Sequence, residues 1–278
     1  MEKINSSYSF GSLNVNRIGY GSMQLTGKGV FGPVADYQNA KKVLQAVVSG
    51  GVNFIDTAES YGPEFSESLI ADALYPYPKD LIIATKGGFD RPGPSQWTPN
   101  GSPEKIRKDI EGSLKRLKVE AIDLWQLHRI DPNIPLEVTL EPVLDALKAG
   151  KIKNVGLSEV TVAQIKQARK ILPIVSVQNM YNLGDRHWEK ELDFTTKEGL
   201  AFIPWFPLAS GPIRFEQTLG KIAQHHGATI AQVALAWLLK RAENILLIPG
   251  TKTLSHLDEN LGTLEIELTQ DEYDSLMK

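Results

Sequence analysis

Three polar residues stand at the ends of short apolar runs, Asp56, Lys86 and His128, with Tyr61 five residues after the first, and their types together could handle a carbonyl group. Lys86 and Asp56 can form a partly buried ion pair. A tyrosine hydroxyl beside the resulting ammonium has its phenolate favoured, which is expected to draw its pKa down from about 10 toward working pH. Tyr61 then suits general acid–base work, and the His128 imidazole can donate to a carbonyl oxygen, orienting and polarising it. The chain has no Cys, which removes thiolate nucleophiles and Cys-ligated metals. No metal site is expected, and by elimination a hydride is expected to arrive from a cofactor. Each residue alone also has a plain structural use. Asp56 could cap the turn after it and Lys86 could snorkel to solvent, while Tyr61 and His128 could be packed rings with satisfied polar atoms. Convergence carries the reading, because unpaired charges buried at strand ends cost several kcal/mol and the ends of adjacent strands lie about 5 Å apart.

The elements that must position these groups recur with a simple rhythm. Eight β-branched or apolar runs read as strands: Arg17–Tyr20, Asn53–Asp56, Leu81–Lys86, Ile122–His128, Asn154–Ser158, Ile174–Gln178, Ala201–Trp205 and Ile245–Pro249. Between and after them, helical spacing marks Gln38–Val48, Glu64–Leu74, Pro103–Leu117, Glu137–Ala149, Val162–Ile171, Trp188–Lys197, Thr229–Arg241 and Ser255–Leu261. Strict alternation calls for a parallel sheet covered by helices, and eight units match a (β/α)8 TIM barrel. A doubly wound sheet would announce a GxGxxG turn after an early strand, and Gly19-Tyr20-Gly21-Ser22-Met23-Gln24 fails that spacing. Tyr8–Phe10 and Leu13–Val15 flank Gly11-Ser12 as an N-terminal β-hairpin, expected to cap the barrel bottom. Nothing in the composition divides residues 1–278, so a single domain is expected. Two long Gly/Pro-rich loops, Met23–Gln38 and Gly87–Ser102, lie at the mouth where strands end.

Composition narrows the partners. The 278 residues carry a net charge of −3 without a basic stripe, so nucleic acid and anionic membranes are not expected partners. The longest apolar run, Val233 to Leu239, has seven residues against the roughly 20 that span a bilayer. MEKINSSYSF has no apolar leader core, and a cytoplasmic protein is expected.

In a barrel the site is built at the C-terminal ends of the strands, and the remaining strand ends are polar as well: Ser158-Glu159, Gln178-Asn179, Trp205-Phe206-Pro207 and Gly250-Thr251-Lys252. The chain resembles the aldo-keto reductases over nearly its whole length. The resemblance is carried by Gly51-Val52-Asn53-Phe54-Ile55-Asp56-Thr57-Ala58 with Tyr61-Gly62, Ala84-Thr85-Lys86, Ile122-Asp123-Leu124 up to His128, Gly156-Leu157-Ser158, Val177-Gln178-Asn179 and Ile248-Pro249-Gly250. Within the family it is most similar to bacterial pyridoxal reductase-like members, through Gly29-Val30-Phe31-Gly32-Pro33 and Ala73-Leu74-Tyr75-Pro76-Tyr77.

The resemblance implies a catalytic tetrad of Asp56, Tyr61, Lys86 and His128, with Tyr61 as proton donor, Lys86 and Asp56 tuning it, and His128 orienting the carbonyl. It implies that Ser158 and Gln178 bond the nicotinamide carboxamide and that Trp205 stacks on its ring. Ser22 and Met23 join the cofactor contacts, Pro207, Leu208 and Ser210 belong to the pyrophosphate-side loop, and Gly250, Thr251, Lys252, Thr253, His256, Glu259 and Asn260 form the adenosine end. Three departures bear on specificity. Glu159 replaces a common Asn and cannot donate to an amide oxygen. Gly250 and His256 stand where cations usually hold the 2′-phosphate, leaving Lys252, or Lys221 and Arg214 in the preceding loop, to substitute. NADPH is the implied cofactor, with NADH the other possibility. Phe31, Phe89 and Trp97 are expected to wall the substrate pocket, with simple loop anchoring the other reading. The implied activity is NADPH-dependent reduction of an aldehyde, with pyridoxal a candidate, or of a ketone; the alternative is a cofactor-binding regulator or redox sensor with little turnover. A monomer acting on a small-molecule carbonyl follows from the resemblance.

Overall fold

A computed structural model describes residues 6–208 and 216–277. Seven parallel strands lie side by side: β3 (Tyr20–Gly21), β4 (Phe54–Asp56), β5 (Ile82–Gly87), β8 (Leu124–Leu127), β9 (Val155–Ser158), β10 (Ile174–Gln178) and β11 (Ala201–Phe202). Residues 245–248 close the gap between β11 and β3. Ile245 bridges Phe202 and Leu247 bridges Ile18, while Leu246 N donates to Phe202 O at 2.9 Å and Gly19 N to Leu247 O at 2.8 Å. The sheet thus curls into the expected (β/α)8 barrel, its eighth strand held by isolated bridges rather than a ladder. Arg17, expected in the first strand, lies before β3. Its Nε donates to Ile245 O at 3.0 Å and its Nη2 to Leu239 O at 2.8 Å, tying the closing strand to the end of a helix.

The hairpin of β1 (Ser7–Phe10) and β2 (Leu13–Asn16) seals the N-terminal end of the barrel. Phe10, Leu13 and Val15 pack with the inward side chains Phe54, Ala84, Leu124, Ala201, Ile203, Leu246 and Ile248 in one buried cluster. The turn residue must be glycine: Gly11 has φ +55°, and a Cβ there would stand 2.3 Å from Asn154 Oδ1. A second small hairpin, β6 (Phe89–Asp90) with β7 (Thr98–Pro99), folds the loop after β5 over the opposite, C-terminal mouth.

Around the barrel run α1 (Tyr37–Ser49), α2 (Phe65–Leu74), α3 (Pro103–Leu117), α4 (Leu136–Lys148), α5 (Val162–Ala168), α6 (Glu189–Lys197), α7 (Glu216–His226), α8 (Ile230–Arg241), α9 (Leu254–Leu261) and α10 (Gln270–Met277). Their starts are chemically marked. Ser102 accepts from Lys105 N ahead of Pro103, and Thr161 and Thr229 form capping boxes with Gln164 and Gln232. Two helices are missing from the eightfold reading. In α7, Leu219, Ile222 and Ala223 bury one face; in α10, Thr269 and Glu272 bond reciprocally at the start and Leu276 is buried. Lys221 accordingly sits exposed on a helix rather than in a loop, and Arg214 lies outside the described residues. No helix among the described residues is long and apolar enough to cross a membrane.

Candidate active site

The polar strand ends converge on one cavity of about 700 Å³ at the C-terminal mouth. Lys86, fully buried on β5, donates from Nζ to Asp56 Oδ2 on β4 at 2.5 Å, to Thr57 O at 2.8 Å and to Tyr61 Oη at 3.4 Å. Asp56 is held from its other oxygen by Gln178 Nε2 at 2.8 Å and Gln126 Nε2 at 3.3 Å. His128 follows β8, where its N–H donates to Gly87 O at 3.0 Å, and its ring stands edge-on to Tyr61 with centroids 5.8 Å apart. Ser60 Oγ lies 3.2 Å from His128 Nδ1. Phe89 and Trp97 complete an aromatic wall, with ring centroids 4.7 and 6.1 Å from that of His128.

Burial sets the protonation states. The Tyr61 hydroxyl is pushed above the ordinary tyrosine value, because loss of water outweighs the lowering pull of Lys86. This corrects the expectation of a lowered Tyr61 pKa. The ammonium does not make the phenolate the resting form; it stabilises the phenolate that appears when Tyr61 gives up its proton. Burial also acts to lower the Lys86 pKa, but Asp56 and Tyr61 more than offset it and hold Lys86 above the usual lysine range. His128 falls well below its ordinary 6.5 through burial and the nearby Lys86, Arg129 and Arg91 charges, so at neutral pH it is an uncharged imidazole. A protonated phenol and a neutral imidazole on one face of a buried ion pair can receive a carbonyl oxygen as it takes up charge.

The comparisons agree with this chemistry. The model of the aldo/keto reductase family matches residues 17–278. This chain belongs to the aldo-keto reductase family. An uncharacterised oxidoreductase of Schizosaccharomyces pombe is 45% identical over 267 residues, 96% of this chain and 87% of that protein. Pyridoxine 4-dehydrogenase of Escherichia coli is 41% identical over 272 residues, 96% of this chain and 95% of that enzyme. Among solved structures, an aldo/keto reductase from Klebsiella pneumoniae in complex with NADP and acetate superposes with a TM-score of 0.82 at 25% identity, covering 98% of this chain and 94% of that one. The protein is therefore an NAD(P)H-dependent oxidoreductase that acts on small-molecule carbonyl compounds.

The structure sorts the remaining expected residues of this aldo-keto reductase. Met23, Ser158, Gln178, Trp205, Pro207, Leu208 and Gly250 line the same cavity as Asp56, Tyr61, His128, Phe89 and Trp97. Ser22 does not: its hydroxyl is buried 2.8 Å from Ser66 Oγ. Phe31 stands outside the lining, where Val30 takes its place, because the Phe31 ring lies beneath the Arg91 guanidinium at 5.8 Å. Glu159 is turned away from the role of its usual Asn. With φ +54°, it accepts from Met180 N at 2.6 Å and from Trp205 Nε1 at 2.7 Å, so it orients the Trp205 ring. Thr251 is buried and bonded to Thr253 N, and Asn260 is buried on α9. Lys252, Thr253 and His256 are exposed, and Glu259 half-buried, along the start and length of α9, outside the cavity lining. Ser210 lies outside the described residues.

Two arginines escape sequence reasoning. Arg91 donates to Ser60 O, Gln96 O and Gly29 O and lies 3.4 Å above the Trp97 ring, clipping together the two long mouth loops. Arg129 lines the cavity itself. Its only sequence signal is adjacency to His128.

Proposed function

We propose that this protein reduces an aldehyde to its alcohol with NADPH, with Tyr61 as the proton donor and pyridoxal as a favoured substrate. The carrying observation is Tyr61 Oη at 3.4 Å from an ammonium that Asp56 neutralises, at the floor of a cavity walled by His128, Phe89 and Trp97. The lining suits the cofactor: Gln178 spends its Nε2 on Asp56 and leaves its amide oxygen without a partner among the described residues, and Ser158 and the Trp205 ring stand beside it. Ser158 and Gln178 would hold the carboxamide, Trp205 would lie against the nicotinamide, and Pro207, Leu208 and Gly250 would hold the rest of the cofactor. Exposed Lys252, which makes no ion pair among the described residues, is the available cation for a 2′-phosphate and favours NADPH over NADH.

The hydride for the carbonyl carbon would come from NADPH held by these residues. The protein does the rest. Neutral His128, 3.2 Å from the Ser60 hydroxyl at Nδ1, would keep its ring hydrogen on Nε2 if Ser60 donates there, and from Nε2 it would give the substrate oxygen a hydrogen bond, not a proton. Tyr61 passes its proton to that oxygen, and Lys86 stabilises the phenolate left behind. The chain acts as one catalytic domain across residues 1–278. The name of the pyridoxine 4-dehydrogenase relative supports the pyridoxal–pyridoxine pair.

Steady-state rates with pyridoxal and with simple aromatic aldehydes, each with NADPH and NADH, test the reading. NADPH should give the higher kcat/KM, and pyridoxal should exceed benzaldehyde. Tight cofactor binding with no turnover of any aldehyde would instead make the protein a cofactor-binding regulator.

A further inference from the structure

One charge in the cavity has no ion pair among the described residues. Of the charged side chains lining the cavity, Asp56 is neutralised by Lys86 at 2.5 Å, which leaves Arg129. The Arg129 Nη1 donates to His128 O at 2.6 Å and to Ser158 Oγ at 2.9 Å, which fixes the guanidinium between the Phe89 and Trp205 rings at 5.9 and 5.6 Å. Its Nε and Nη2 make no hydrogen bond among the described residues, and no carboxylate lies within 4.0 Å of it. Glu159, the acid whose charge it feels most, already has an oxygen committed to Met180 N and Trp205 Nε1. Other arginines withdrawn from solvent are spoken for: fully buried Arg17 donates to the Ile245 and Leu239 carbonyls. Arg116 pairs with Glu67 and Glu64, Arg241 with Glu189 and Asp193, and Arg91 with three backbone carbonyls. A guanidinium largely withdrawn from water, set between two rings and left with Nε and Nη2 open, suits a two-oxygen anion.

We propose that Arg129 extends the substrates of this cavity beyond pyridoxal to carbonyl compounds that carry an anionic oxygen group, a carboxylate or a phosphate, elsewhere on the molecule, and raises their kcat/KM. The proposal rests on the reductase reading of the same cavity and deepens it: His128 and Tyr61 take the carbonyl oxygen while Arg129, one residue from His128, takes the anion.

The test compares matched aldehydes: para-carboxybenzaldehyde against para-methylbenzaldehyde, and pyridoxal phosphate against pyridoxal. In Arg129→Met the anionic-to-neutral ratio of kcat/KM should fall about 30-fold for at least one pair, the size of a lost charge-assisted contact, and Arg129→Lys should restore part of it. A fall confined to the carboxylate pair assigns a carboxylate substrate, and one confined to the phosphate pair a phosphate. Ratios unchanged within about twofold for both pairs would overturn the proposal, as would a weakened NADPH Kd without a change in ratio, which would make Arg129 a cofactor anchor. A binding arm separates this from the reductase reading. Tryptophan fluorescence of the NADP-loaded protein should report benzoate, but not benzyl alcohol, binding about tenfold more weakly to Arg129→Met. Equal weakening of both ligands would overturn the proposal. Absence of turnover in the wild-type protein would count against the reductase reading alone.

Discussion

At the scale of single residues, the same burial that makes Tyr61 hold its proton makes His128 give its own up, and those opposite shifts suit the proposed roles of donor acid and neutral orienter. In the proposed mechanism Ser60 donates to His128 Nδ1 and so favours the neutral tautomer with hydrogen on Nε2, the one that offers a donor to the substrate. Ser60→Ala removes that preference. Its kcat should drop by roughly tenfold, the rate equivalent of about one hydrogen bond, with little change in NADPH Kd; an unchanged kcat would show that Ser60 leaves the tautomer alone. Asp56, Lys86 and His128 were legible in the sequence because adjacent strands end at them, and Tyr61 because the loop after β4 is short enough to return it to the same mouth. Ser60, Arg91 and Arg129 were not, since their roles depend on which loop crosses which, a matter of tertiary contact. The direction of the Tyr61 shift was misread for a related reason. Pairing with Lys86 can be inferred from residue types, whereas the larger desolvation opposing it depends on how completely Phe89, Trp97 and the mouth loops shut out water.

At the scale of elements, a second charged cluster sits behind the site, where α3 packs against β5 and the loop after β4. Glu59 and Asp109 share Lys105 at 3.4 and 2.7 Å, and Glu59 Oε2 is buried without a partner. Burial and the neighbouring Asp109 raise the Glu59 pKa to about 7. A carboxyl raised from about 4.5 to about 7 favours the folded state most at low pH, and that stabilisation is lost as pH rises through 7. Glu59→Gln should therefore gain in Tm relative to the wild type between about pH 5 and about pH 8, by a few degrees. A difference that does not change over that range would mean that Glu59 is not protonated in the folded protein. Most barrel elements were readable from apolar runs and caps such as Ser102-Pro103. The exceptions, α7 and α10, show short amphipathic faces beside which the stronger strand–helix rhythm drew the eye, and residues 245–248 read as a strand although they pair through isolated bridges.

At the scale of the whole molecule, stability and chemistry occupy opposite ends of one barrel. The N-terminal hairpin plugs the bottom with Phe10, Leu13 and Val15, while the cavity opens at the C-terminal mouth. Truncating the plug should weaken the fold without touching the site. Phe10→Ala, at a ring only 3% exposed, should cost about 3–5 kcal/mol by denaturant unfolding, with kcat/KM unchanged under native conditions; a matching loss of kcat/KM would mean that the two ends are coupled. The eightfold alternation announced this plan, and the hairpin was placed at the bottom from two short runs around Gly11-Ser12. Hidden from sequence was the closure of the mouth, where Arg91 joins loops more than sixty residues apart in the chain, the Gly29 carbonyl to the Arg91 guanidinium. The division of labour bears directly on the central chemical claim, because a change confined to Tyr61 Oη alters neither plug nor cofactor groove. Turnover of pyridoxal and NADPH affinity should be measured together on Tyr61→Phe. The proton donor at this position predicts a loss of kcat of at least about a thousandfold with NADPH Kd within about threefold of wild type, whereas a kcat within tenfold of wild type would contradict it.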